Sequence, residues 1–322
     1  MMSGIHDVRV PVGPQAAAIT DLWTLMLVVC TVVFVAIMVA LAIAVWRAPR
    51  ATEKAAADLA EHPRIDRRLR RGVGWAVAAS SLLLAGLLVA SFMTDRAVAR
   101  LPLHDAVRID LVAHRFWWEA RYDAADPALA FATANELHVP VGRAVIVTLY
   151  ADDVIHSLWL PSLAGKKDLI PGRESTIAVR ADRVGTYRGQ CAEFCGYQHA
   201  QMALVVVAET PERYERWRSL QREPAHAPSD AQQARGRELV EQTSCAMCHA
   251  IVGTRAGGRR APDLTHVAGR GWLGAGAVAN TPKLRAEWIA NAQKFKPGVD
   301  MPPIDVAADD LAAISAYLGS LE

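Results

Sequence analysis

Gln190-Cys191-Ala192-Glu193-Phe194-Cys195-Gly196-Tyr197-Gln198-His199-Ala200-Gln201-Met202 gathers four soft or borderline metal ligands, Cys191, Cys195, His199 and Met202, in one short stretch. Thiolate, imidazole and thioether together suit copper far better than magnesium or calcium. A mononuclear blue-copper site needs one Cys, two His and a weak Met. Here a second cysteine lets two thiolates bridge two copper ions, each then requiring its own terminal ligand. His199 serves one, so a second imidazole must come from elsewhere. His156, in Asp153-Val-Ile-His-Ser-Leu-Trp159, follows a strand-like run and is the best placed. The competing readings are a zinc site, which does not use Met, and a Cys-x-x-x-Cys disulfide, which needs neither histidine.

Around this stretch the residues read as strands. Short β-branched runs such as 107–112, 135–139, 144–150, 175–179 and 203–207 are punctuated by Pro140-Val-Gly142, Pro171-Gly172 and Gly185, the pattern of an all-β sandwich or barrel. The ligand stretch falls just before the last run. In this setting it resembles the dinuclear copper A loop of cytochrome c oxidase subunit II, carried on a cupredoxin-like Greek-key barrel. The resemblance implies Cys191 and Cys195 as bridging thiolates, His156 and His199 as terminal imidazoles and Met202 as a weak axial ligand. It gives Glu193 a backbone carbonyl toward copper and a carboxylate toward a magnesium ion shared with subunit I. It also makes His114-Arg-Phe-Trp-Trp-Glu-Ala-Arg-Tyr122 the aromatic segment for electron entry, through Phe116, Trp117 or Trp118, although these rings equally suit core packing. Lys166-Lys-Asp-Leu-Ile-Pro-Gly-Arg173 resembles the hairpin that faces subunit I. Asp153, three residues before His156, reads either as its orienting carboxylate or as a strand-end cap. His104 and His138 read as surface or core histidines.

The 322 residues allow about two domains, and a net charge of +2 with 21% charged residues gives no reason to invoke nucleic acid. A hydrophobic share of 52% points to membrane segments, and residues 22–46 and 72–94 are uncharged and long enough to span a bilayer. Residues 1–20 lack the features of a cleaved signal peptide. The connection at 47–71 carries Arg47, Arg50, Lys54, Arg64, Arg67, Arg68, Arg70 and Arg71, against Arg9, Arg96 and Arg100 outside the spans. The positive-inside rule puts that connection in the cytoplasm and both termini outside a bacterial cytoplasmic membrane. Gly74, Ala78, Ser81 and Gly86 suit close packing of the two helices as a hairpin, and Cys30 reads as a membrane-packed thiol.

After 210–232, read as a helix and linker, the chemistry changes. Cys245-Ala-Met-Cys-His249 is a c-type haem attachment sequence, with thioethers at Cys245 and Cys248 and His249 as proximal ligand. Pro262-Asp-Leu-Thr265 matches the proline loop over that histidine, and Lys296-Pro-Gly-Val-Asp-Met301-Pro-Pro303 resembles the loop presenting a distal methionine. His/Met ligation suits electron transfer. His266 is an alternative ligand better explained by ordinary hydrogen bonds. Helical segments at 229–242, 282–293 and 305–318 complete the layout of a small all-α class I cytochrome c.

The domain order expected is therefore 1–100 (N-terminal segment and transmembrane hairpin), 101–209 (copper A domain), 210–232 (linker) and 233–322 (cytochrome c). That order resembles caa3-type oxidase subunit II with a fused cytochrome c. The resemblance implies electron relay from an external donor to haem c, to the copper pair and to the haems of subunit I, where oxygen is reduced. Implied partners are subunit I, subunit III, lipid, and a soluble or membrane cytochrome c or a quinol–cytochrome c reductase as donor. The family often places a proton-entry glutamate at the second helix; only Glu61 or Asp66 stands nearby, and neither is assigned the role. A nitric oxide reductase copper A subunit and a membrane-anchored, thioredoxin-like copper-delivery protein are the rival readings.

Overall fold

The computed structural model describes residues 6–48, 63–123 and 126–322. Arg50, Lys54 and Glu61 lie outside the described residues. The chain forms two compact units, Ala18–Arg100 and Met1–Ala17 with Leu101–Glu322.

Helices α1 (Pro14–Arg47) and α2 (Pro63–Val98) supply the first unit. At 1.5 Å per residue α1 is about 51 Å long, well beyond a hydrocarbon core of about 30 Å. The helices thus overrun the apolar spans at 22–46 and 72–94: arginine is a good helix former, so Arg64–Arg71 continue α2 instead of breaking it. Side chains along the spans are exposed, among them Trp46, Trp75 and Leu82, as is Cys30. The expected close packing at the small residues is not observed. A Cβ added at Gly74 or Gly86 would meet nothing within 4 Å, which leaves those positions open to lipid or another chain.

Ten strands build the β domain: β1 (Val107–His114), β2 (Trp117–Tyr122), β3 (Phe131–Ala134), β4 (Glu136–Pro140), β5 (Val145–Ala151), β6 (His156–Trp159), β7 (Lys166–Leu169), β8 (Ser175–Val179), β9 (Gly185–Cys191) and β10 (Ala203–Glu209). They form two five-stranded sheets, ordered β3-β2-β1-β5-β8 and β4-β10-β9-β6-β7, the cupredoxin-like sandwich or half-barrel that the strand pattern led one to expect. β1 runs parallel to β5, and β4 to β10. Period-two alternation decides which side chains face inward: in β5, Val145, Val147 and Leu149 are buried while Ile146 and Thr148 are not. Val12 joins this core, its N–H donating to the Ser162 carbonyl at 2.7 Å.

Helix α3 (Pro211–Leu220) is the helix expected at the start of 210–232. Tyr214 and Trp217, one turn apart, share a face and pack on the sandwich core. Arg218 and Arg222 both clamp Asp123 at 2.7 Å. The segment is therefore a buttress of the β domain at this end.

The C-terminal domain contains α4 (Ala231–Gln242), the single turn α5 (Cys245–Cys248), α6 (Pro282–Ala290) and α7 (Ala308–Gly319). A two-residue ribbon, β11 (Trp272–Leu273) with β12 (Val278–Ala279), is its one departure from an all-α domain among the described residues. Helices α4 and α7 meet at Gly236, where a Cβ would collide with the Ala313 carbonyl oxygen. Val240, Ile314, Tyr317 and Leu321 form the core beneath.

Candidate metal centres

Register places the first site. β6 pairs antiparallel with β9, setting Leu158 opposite Cys191, so His156 at the start of β6 falls beside Cys191 at the end of β9. β9 and β10 pair around the intervening loop, Ala203 opposite Gln190, which returns Met202 to the same place. The sequence-expected ligands come together there. Cys191 Sγ lies 3.8 Å from His156 Nδ1 and 3.8 Å from Cys195 Sγ. Cys195 Sγ lies 3.7 Å from His199 Nδ1 and 3.8 Å from Met202 Sδ. The Glu193 carbonyl oxygen is 3.3 Å from Cys191 Sγ, while its carboxylate side is exposed.

A disulfide has its sulfurs at about 2.05 Å, so a 3.8 Å separation is that of two independent thiols. His156, Cys191 and Cys195 are buried with their donor atoms within 4.8 Å of one another. Soft donors converging from both sides on a pair of sulfurs fit two copper ions bridged by thiolates. The hydrogen-bonding contact between the two sulfurs lowers Cys191 and raises Cys195. Metal binding would displace the thiol protons. Burial alone would lower His156, but its contacts with Cys191 and Asp153 outweigh this and raise it.

Asp153 does both jobs that its position suggested. Its Oδ1 is 2.8 Å from His156 Nε2, which leaves Nδ1 toward the sulfurs. Its Oδ2 accepts from Arg115 N at 2.6 Å. The three entry aromatics separate. Trp118 is buried, its ring 6.2 Å from that of His156. Trp117 stacks on His114 at 4.3 Å. Phe116 is buried beneath Gly196, whose φ of +125° and 3.2 Å Cβ approach to the ring leave no room for a side chain. In the segment 166–173, β7 leads into a turn closed by the Ile170–Arg173 bridge.

At the second site, α5 carries Cys245 and Cys248 as free, half-buried thiols. His249 Nδ1 donates to the Pro262 carbonyl at 2.7 Å, which leaves Nε2 as the ligand atom. A cleft of 280 Å³ lies between Cys245 and the segment Pro302–Val306 that follows Met301. Gln293 Nε2 holds that loop through the Val299 and Met301 carbonyls at 2.5 and 2.9 Å. Two neighbouring thiols and an imidazole with Nε2 free fit a covalently held haem. Met247 points outward, 70% exposed. His266 is engaged at both ring nitrogens by the Glu322 and Glu223 carbonyls, at 2.6 and 3.0 Å. His104 is exposed beside Asp105, whereas His138 has partners that sequence spacing did not reveal: Glu209 at 2.9 Å and the ring of Trp217 stacked at 4.0 Å. Lys296 and Gln198 also escaped the sequence reading, since a lysine and a glutamine in loops ordinarily signal solvent.

Residues 109–209 match the family described as cytochrome c oxidase subunit II, periplasmic domain, and residues 233–322 match cytochrome c. The chain is 34% identical over 68% of its length to cytochrome c oxidase subunit 2 of Alkalihalophilus pseudofirmus, covering 62% of that protein. It is 31% identical over 61% of its length to the protein of the same name from Bacillus subtilis, covering 56% of it. With the relative from Bacillus sp. it shares 28% identity over 68% of its length and 63% of that protein. The matched stretch thus spans about three fifths of each relative. Two long apolar helices, a cupredoxin-like sandwich and a helical haem-binding domain complete the comparison. The chain joins a periplasmic domain of the cytochrome c oxidase subunit II family to a C-terminal cytochrome c domain, the composition of a fused, caa3-type subunit II.

Proposed function

We propose that the chain relays electrons within a haem–copper terminal oxidase. It accepts them from an external donor at the domain carrying Cys245, Cys248, His249 and Met301. It passes them to the β9–β10 loop and on to the haems of subunit I, where oxygen becomes water. The supporting observation is the buried convergence of His156, Cys191, Cys195, His199 and Met202 around two sulfurs 3.8 Å apart.

When bound, haem c and the copper pair supply one-electron redox chemistry. Cys191, Cys195, His156, His199, Met202 and the Glu193 carbonyl would hold the copper ions, and Asp153 would fix the His156 ring. The pairing of β9 with β10 closes the loop, a constraint that would keep reorganisation small. The Glu193 carboxylate faces out, suited to a magnesium ion at the subunit I surface. Both metal domains lie on the periplasmic side, with the arginine-rich connection in the cytoplasm. Domain limits of 101–209 and 233–322 belong to this reading.

Stopped-flow reduction of the full chain tests the order. Mixing with a reduced donor is expected to reduce the haem first and the copper second. The double variant Cys245→Ala/Cys248→Ala, which cannot tether haem, should slow copper reduction by about tenfold or more, because the intramolecular donor is lost. Equal copper reduction rates in both proteins would contradict the relay.

A further inference from the structure

Lys296 is 1% exposed, and no carboxylate among the described residues forms an ion pair with it: Nζ donates to the Phe116 carbonyl in the β domain at 2.7 Å and to the Gly274 carbonyl in the haem-binding domain at 2.9 Å. Burying an ammonium costs several kcal/mol unless its donors are satisfied, so an apolar plug would be the simpler filler here. The residues after it lie on the copper loop. Gln198 Nε2 donates to the Pro297 carbonyl at 2.5 Å. Gly298 sits against Tyr197, so close that a Cβ at this glycine would lie 3.4 Å from the ring. Val299 packs on the sandwich core. Two further bonds join the domains: Ala203 N to the Ala275 carbonyl at 3.1 Å, and Gly271 N to Glu136 Oε1 at 2.8 Å. Gln198 immediately precedes the ligand His199, and Pro297 lies four residues before Met301.

We infer that Lys296 is a positioning residue, an intramolecular latch that seats the Met301-bearing loop on the copper loop and holds the two cofactor sites at one fixed separation. The latch explains why a lysine is buried between two carbonyls from different domains. It replaces tethered diffusion with a docked state, and it makes the Gln198–Pro297 hydrogen bond a direct link between the two ligand loops. Its use in electron transfer rests on the proposed relay; the docking itself does not. Because the contact is buried and its acceptors are uncharged carbonyls, docking is expected to resist salt.

The test is amide hydrogen exchange on the full chain in detergent, loaded with copper and haem, comparing the natural protein with Lys296→Met and Lys296→Arg. In Lys296→Met the interdomain amides of Ala203 and Gly271 should exchange about tenfold faster or more, while amides in β5 and in α7 keep their protection. Lys296→Arg, which retains the charge and the donors, should restore part of that protection. In the same samples haem-to-copper transfer should be salt-independent in the natural protein and become slower and salt-dependent in Lys296→Met. Unchanged exchange at Ala203 and Gly271 in Lys296→Met would overturn the latch. So would protection lost equally in α7, which would make Lys296 a fold residue of its own domain. Failure to find two coppers per chain would remove the relay and leave the exchange result, and hence the latch, intact.

Discussion

Asp153 stands one hydrogen bond behind His156, and that single contact decides which ring nitrogen faces the sulfurs. Replacing it with Ala leaves the imidazole free to turn, so copper affinity should fall by roughly 10–100-fold, the usual effect of losing such an outer partner. Competition titration with a copper chelator would measure this; an affinity within twofold of the natural protein would show that packing alone orients the ring. The convergence of Cys191, Cys195, His199 and Met202 was legible because soft donors are rare and here fall in one stretch. His156 was legible because a second imidazole was chemically required. Lys296 was not. Its role depends on a carbonyl 180 positions away, and local sequence holds no trace of that neighbour. His138 escaped for a related reason: Glu136 lies on its own strand, but Glu209 and the ring of Trp217 arrive only through folding.

At the scale of elements, sheet register brings β6, β9 and β10 together, and helix crossing builds the haem-binding domain. Gly236→Ala should force α4 and α7 apart, because its Cβ would overlap the Ala313 carbonyl oxygen. A loss of about 1–3 kcal/mol is expected from overpacking, read as a lower thermal midpoint for haem-domain unfolding. No change would show that the crossing is loose. On the sandwich, His138 faces Glu136, Glu209 and the ring of Trp217, with Arg213 3.7 Å from Glu209. Burial would lower its pKa, but the two carboxylates outweigh burial and raise it. A raised histidine contributes stability that is fully present below the unfolded value of 6.5 and is lost as pH rises through the folded value. Unfolding temperature should therefore decline as pH climbs from about 6.5, and His138→Gln should flatten that decline. A decline of the same steepness in the variant would assign it to other groups. Strand existence was legible from β-branched alternation. The two-sheet closure was not, because the parallel pairs β1–β5 and β4–β10 join distant strands. The apolar spans marked the membrane-crossing part of each helix without marking helix ends, since arginines extend a helix as readily as apolar residues do.

For the whole molecule, the chain joins two long apolar helices to a cupredoxin-like sandwich and a cytochrome c domain, the last two bonded to each other and not merely tethered. The order of the chemistries was legible because each has its own residue alphabet: uncharged spans, soft-ligand loop, Cys-x-x-Cys-His. The buttressing by α3 was hidden behind a composition that reads as a linker. With the arginine-rich connection inside, protease added to spheroplasts should cut within 221–230 or the exposed loops and release metal-domain fragments. Protection until the membrane is permeabilised would reverse the topology. Whether one loop holds two coppers is decided by metal analysis with low-temperature EPR on the full chain matured with copper and haem. Two coppers per chain are expected, with one unpaired electron shared equally between them, beside a low-spin c-type haem. One copper per chain, or a signal confined to a single copper nucleus, would contradict the two-copper site.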